Sequence, residues 1–128
     1  MFKFRLTAIA ALTLGSMQVG SVAEAKSDWI KELEAGCNAG NGQDCSNLGG
    51  QLALGAGDPK DLPGARRAFE KGCHLKSAMS CAELYKMLSL GEGGPADSAR
   101  AAPLEHDACG TGILSLTAYL KGNGLCAD

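Results

Sequence analysis

Cys37-Asn38-Ala39-Gly40-Asn41-Gly42-Gln43-Asp44-Cys45 returns 36 residues later as Cys73-His74-Leu75-Lys76-Ser77-Ala78-Met79-Ser80-Cys81, and Cys109 lies a further 36 residues on. The same step relates Leu48 to Leu84, Leu52 to Leu88, Leu54 to Leu90, Gly55 to Gly91, Gly57 to Gly93, Pro59 to Pro95, Asp61 to Asp97 and Ala65 to Ala101. Identities at one offset in such numbers mark a stacked supersecondary unit.

Each unit reads as two helices. Asn41 and Ser77 are N-caps at equivalent places. Leu48 and Leu52 are four apart, as are Leu84 and Leu88, so each pair lies on one face of a helix. Gly55-Ala56-Gly57 and Gly91-Glu92-Gly93 stop those helices, because glycine accepts the left-handed conformation of a C-cap. Asp61 caps the next helix. Pro63 falls in its first turn, where a missing N–H costs nothing, and the helix continues through Ala65, Ala68 and Phe69 to Cys73.

The copies are not uniform. Asp28 to Cys37 has the character of a second helix without a first, and its Trp29 is expected to close the N-terminal end of the stack. Pro103 stands where Arg67 stands one unit earlier, so a helix from Asp97 must kink there or start late. Thr117 occupies the position where the period calls for cysteine, and Gly122-Asn123-Gly124 arrives early. The expected organisation is a signal peptide over 1–25 and a repeat domain over 26–128. The domain comprises a partial repeat (28–37), units of about 37–72 and 73–108, and a truncated unit (109–128).

This layout suggests the cysteine pairing. Cys37 ends one helix and Cys45 opens the next across a tight loop, which brings two antiparallel neighbours together. Cys73 and Cys81 repeat the arrangement. Cys109 lacks its periodic partner and Cys126 is the remaining thiol, so Cys109–Cys126 is expected; a free or intermolecular thiol at Cys126 is the alternative. Short repeat arrays bury their faces only against neighbours. A nine-residue ring contributes roughly 2.5 kcal/mol by loop entropy, so these staples bear a large share of a small domain's stability.

The chain's beginning reads as an export signal. Lys3 and Arg5 precede an apolar run from Leu6 to Leu14, and Ala23-Glu24-Ala25 has the small-x-small form of a cleavage site. The run is too short to span a bilayer. The expected mature chain starts near Lys26, with a periplasmic or extracellular destination. Six cysteines behind such a signal read as a disulfide framework. A metal site would want short Cys-x-x-Cys or clustered histidines, and the two histidines, His74 and His106, lie in different units. From Lys26 onward ten Lys/Arg face thirteen Asp/Glu, for a net charge of −3 with the signs interspersed. This argues against nucleic acid as a partner.

The Cys-x7-Cys pairs, the 36-residue step, Leu48-Gly49 after the second cysteine, and Gly-x-Gly followed by Asp-x-x-x-Ala resemble Sel1-like repeats. The paired cysteines are similar to those of the cysteine-rich Sel1-repeat proteins secreted by Helicobacter and related bacteria. The resemblance covers about Asp28 to Gly124. It implies an all-α fold: a short, TPR-related αα-solenoid wound into a right-handed superhelix with a concave face, stapled by disulfides. It also implies work as a scaffold, adaptor, or peptide or ligand binder. Members of the cysteine-rich group have been described as penicillin-binding or β-lactamase-like, so the resemblance carries a hydrolase reading too.

The chain's own residues supply no support for that chemistry. No serine has lysine three residues on, and Ser-Asp-Asn, Lys-Thr-Gly and Gly-x-Ser-x-Gly are absent. A redox enzyme would want Cys-x-x-Cys to tune a thiolate. No catalytic residue, metal or cofactor is therefore assigned. The expected function is contact with a protein or peptide partner, with an immunity or inhibitor protein as a variant of it. By analogy with other αα-solenoids, the first helices line the concave side. Asn47, Gln51, Glu83, Lys86 and Met87, which are not committed to the leucine stripe, are the candidate binding face.

Overall fold

The computed structural model describes residues 26–127, except 57, 111 and 113. The helices are α1 (Asp28–Asn38), α2 (Gly42–Leu54), α3 (Leu62–His74), α4 (Ala78–Leu90), α5 (Ser98–Ala101), a 3-10 turn (Ala102–Leu104), α6 (Glu105–Cys109) and α7 (Leu114–Gly122). Among the described residues there is no strand. This is the all-α helical-repeat architecture that the period implies. Residues 1–25, where the export signal was expected, lie outside the described residues.

Local chemistry sets the helix ends. The Asn41 side chain accepts from the N–H groups of Gln43 and Asp44, that of Asp61 from Gly64, that of Ser77 from Ser80, and that of Asp97 from Arg100. Gly55 and Gly91 close α2 and α4 at φ 67° and 73°, and each returns its N–H to the last turn of its helix. The loops then recross identically: the Asp61 N–H donates to the Leu52 carbonyl and the Asp97 N–H to the Leu88 carbonyl, both at 2.8 Å. Pro103 is absorbed as expected, by a 3-10 turn that divides the third second-helix into α5 and α6.

Three disulfides join Cys37 to Cys45, Cys73 to Cys81 and Cys109 to Cys126. The first two bridge Cα atoms 4.5 Å apart across the α1–α2 and α3–α4 corners; the third closes the terminal segment containing α7, with Cα atoms 5.8 Å apart. The side chain of Thr117 keeps its hydroxyl enclosed without a hydrogen-bond partner among the described residues.

The core runs the length of the stack, through Ile30, Leu33, Leu48, Leu52, Phe69, Leu84, Tyr85, Leu88 and Leu120. Bulk changes sides between units. In the first, the Phe69 ring lies on Gly49, where a Cβ would stand 2.6 Å from it. In the second, Tyr85 occupies the position of Gly49 and Glu105 that of Phe69. Between units, Arg66 is buried and donates to the Pro95 carbonyl at 2.9 Å, tying the α4–α5 loop onto α3. The preceding loop is tied differently: Asp58 accepts the Ser27 N–H at 2.9 Å and the Ser27 hydroxyl at 2.6 Å.

Trp29 departs from expectation. It does not close the stack; it is 55% exposed, while Ile30, Leu33 and Cys37 carry the packing of α1. Its periodic equivalent in α3 is Ala65, which is wholly buried. Among the described residues no helix precedes α1 to cover the corresponding face.

Candidate binding grooves on the second-helix side

The two sides of the stack differ. On the first-helix side, α2 and α4 meet through hydroxyls: the Ser46 Oγ lies 2.7 Å from both the Ser77 and the Ser80 Oγ. Gly72 of α3 leaves room for Ser80, since a Cβ there would stand 2.1 Å from the Ser80 Oγ. The second helices are not drawn together in this way, and grooves open between them.

The first groove, of about 230 Å³, lies between α1 and α3. Leu48, Leu52, Ala68 and Cys37 line it, with Glu34 and Asn38 on the α1 side and Arg67 and Lys71 on the α3 side. The second, of about 340 Å³, lies between α3 and the α5–α6 segment, lined by Leu84, Leu88, Leu104 and Cys73 with Glu70, His74, Arg100 and Pro103. Position by position the second is the 36-residue translate of the first: Glu70 for Glu34, Cys73 for Cys37, His74 for Asn38, Leu84 for Leu48, Leu88 for Leu52, and Leu104 for Ala68. The repeat thus builds the same concavity twice, floored by the leucine stripe of a first helix and half of a disulfide.

The rims differ in charge. In the first groove Glu34 pairs with Lys26, and the Lys71 ammonium donates to the Asn38 amide oxygen at 2.9 Å. In the second, Glu70 pairs with Arg100. The positions of Arg67 and Lys71 are taken there by Pro103 and Asp107.

The residues expected to bind lie on the opposite side. Asn47 is exposed and accepts from the Gln43 side-chain amide at 3.1 Å; Gln51 is half-buried. Glu83 pairs with Lys86 at 2.6 Å, and the Lys86 ammonium also lies 5.7 Å from the centre of the Tyr119 ring. The ion pair lies within α4, and the ring contact joins α4 to α7. Met87 does not belong to any face: it is 1% exposed, because it points from α4 into the core beside Leu88. The grooves escaped the sequence reading because it sought residues off the leucine stripe, whereas the stripe itself is their floor. The identity of Glu34 with Glu70 at the 36-residue step was the available signal.

No constellation of nucleophile and base is built around the serine cluster. Ser46, Ser77 and Ser80 bond to one another, and Ser46 also to the Gly42 carbonyl at 3.1 Å. An activated serine needs a base in that place, and here the neighbours are hydroxyls. His74 and His106 are exposed helix-end residues. No group of three potential metal ligands occurs among the described residues.

With two-helix units repeating at a fixed step, bridged corners and translated grooves, the chain can be set beside solved structures. Cysteine-rich protein B of Helicobacter pylori superposes with a TM-score of 0.61 at 25% identity, over 71% of this chain and 68% of that one. A Sel1 repeat protein from Oxalobacter formigenes superposes with a TM-score of 0.63 at 24% identity, over 73% of this chain and 27% of that longer one. The fold is that of Sel1-type repeats. No protein-family model and no curated protein sequence matches the chain. The likeness therefore establishes a disulfide-stabilised Sel1/TPR-type helical repeat, an architecture typical of protein-interaction modules.

Proposed function

We propose that the protein is an exported interaction module that holds a protein or peptide partner in the periplasm or outside the cell. The observation that carries this reading is the translated pair of grooves. An array that presents the same apolar-floored concavity at successive steps suits a linear partner, which offers side chains at successive steps of its own. The first groove, at about 230 Å³, falls below the range of small-molecule pockets and fits a side chain. Three disulfides fit an oxidising compartment, and the first 25 residues fit a removed signal. Among the described residues no helix is long and apolar enough to cross a membrane.

The test is photo-crosslinking in the native host. A benzophenone side chain replaces Asn38 on the groove side or Asn47 on the opposite side of the exported protein. Discrete adducts from Asn38 and few from Asn47 are expected, on a chain whose mass lacks the first ~25 residues. Absence of adducts from both positions, or an intact N-terminus, would overturn the proposal. So would steady nitrocefin turnover abolished by changing one side chain.

A further inference from the structure

Away from the grooves, α1 is a second helix with no first helix before it among the described residues. In α3, which α2 precedes, Gly64, Ala65 and Ala68 are buried, Ala65 completely. The same positions of α1 hold Asp28, Trp29 and Glu32, and all three are exposed. Beside them, Asp44 in the first turn of α2 takes the position of Ser80. The Ser80 hydroxyl meets Ser46 of the preceding first helix at 2.7 Å. Asp44 has no such helix to meet among the described residues, and its carboxylate rests against Gly36. The charge of this end is negative. Across Lys26, α1 and the first turn of α2, the four carboxylates of Asp28, Glu32, Glu34 and Asp44 accompany the two ammonium groups of Lys26 and Lys31. Lys31 lies 3.1 Å from Asp28, and Lys26 pairs with Glu34. Glu32 and Asp44 have no ion-pair partner among the described residues. A chain cut before Lys26 gains one ammonium, and the balance stays negative.

We infer that this N-terminal end of the stack is a second docking surface, and that its occupant is a basic amphipathic helix of another protein, lying in the place of the missing first helix. Leucines four apart, as in α2 and α4, give such a helix its apolar stripe. Trp29 offers an indole face to that stripe and to a guanidinium beside it. Glu32, one turn further along α1, and Asp44 meet the cations. The charge selects this occupant over a second copy. Two copies joined by these ends would set Glu32 and Asp44 against their own equivalents, and like charges across an interface repel. Head-to-tail stacking is closed off at the other end of the array. There Leu120 is wholly buried, the Cys109–Cys126 bridge ties the tail down, and the Tyr85 hydroxyl donates to the Leu125 carbonyl at 2.5 Å. Asp28, Trp29, Glu32 and Asp44 line neither groove, so the surface is independent of them.

Trp29 is the only tryptophan of the chain, so its fluorescence reads this end alone. The test uses the exported, disulfide-intact protein, with nitrogen-15 amide shifts as the second readout. The probes are two alanine-based peptides of roughly 18 residues, long enough to hold a helix. Both carry leucines four apart, flanked by arginines in one and by glutamates in the other. The arginine peptide should move the Trp29 emission to shorter wavelength and shift the amides of Glu32 and Asp44. The amides of Leu84 and Leu88, on the floor of the second groove, should stay in place. The glutamate peptide should have neither effect. Glu32→Gln, at an exposed position, should lower the affinity for the arginine peptide about three-fold, and Glu32→Gln with Asp44→Asn about ten-fold. Equal response to the two peptides, response to neither, or a double variant that binds unchanged overturns the inference. So does a free protein whose Trp29 already emits at the shorter wavelength, with sedimentation as a dimer or a mass that retains residues 1–25, since either assigns the face to another occupant.

Discussion

Gly72 and Ser80 touch across the α3–α4 corner so closely that a Cβ on the glycine would stand 2.1 Å from the serine Oγ. The same Cβ would lie 2.7 Å from the Ser80 Cβ and 3.0 Å from the Cys45 Cβ. One missing methyl thus allows the first helices to share their serine hydrogen bonds and the disulfide corners to nest. One period earlier, Gly36 faces Asp44 in the same way, with the obstructing atoms at the end of a half-buried side chain.

Gly72→Ala should therefore destabilise the fold by about 2 kcal/mol, within the usual cost of overpacking. Gly36→Ala should cost clearly less, because the Asp44 carboxylate can swing aside. Denaturant melts of the two variants give the comparison. Equal losses would mean that the Ser80 side is free to relax as well.

Removing disulfides should not act evenly. Replacing Cys73 and Cys81 together by serine opens the central corner, on which α2, α3 and α4 all lean, and should cost roughly 2.5–3 kcal/mol. Replacing Cys109 and Cys126 releases the segment that follows α6 and contains α7. Hydrogen exchange should then rise in 114–126 while α1 to α4 keep their protection. Uniform loss of protection in both double variants would contradict this division.

Asp58 and Ser27 make stability depend on acid. The Ser27 hydroxyl, then its N–H, hold the Asp58 carboxyl below the usual carboxylate range, and the Lys26 charge acts in the same direction. A lowered folded value means that the contribution is complete above the unfolded value, about 3.9. It is lost as pH falls through the folded value. The Ser27 amide shift should titrate in that acidic window, and Asp58→Asn should flatten the curve. A Ser27 amide that titrates unchanged in the Asn variant would show that another acid is responsible.

Tyr85 gives the opposite dependence. Its hydroxyl donates to the Leu125 carbonyl at 2.5 Å, and burial, aided by the Glu105 charge, raises its pKa. The folded state favours the neutral phenol. This contribution is therefore present below the unfolded value, about 10, and is lost as pH rises through the folded one. Tyr85→Phe should cost about 1 kcal/mol and speed exchange in the segment around Leu125. A phenolate absorbance titration on the parent protein should show the upward shift; a Tyr85 that ionises at the ordinary value would refute it.

Much of this protein was determined by its sequence alone, because the forces concerned are local. A side-chain cap at Asn41, Asp61 or Ser77 acts within three residues, and a left-handed Gly55 or Gly91 ends a helix whatever lies beyond it. Repetition of those signals at 36 residues was enough to specify an all-α stack. Tertiary structure decided what the local signals leave undetermined. Met87, three residues after Leu84 and so at the edge of the leucine stripe, is 1% exposed, because the packing around α4 reaches beyond the paired leucines. Trp29 is apolar yet exposed, since burial of a repeat face depends on a neighbour and none precedes α1 among the described residues. The first helices meet through the buried hydroxyls of Ser46, Ser77 and Ser80, whereas the second helices are bridged at their rims, by Lys71 to Asn38 and by Arg100 to Glu70, and the grooves lie beneath those bridges. Such spacing is set by contacts between residues some thirty positions apart, which no local pattern encodes.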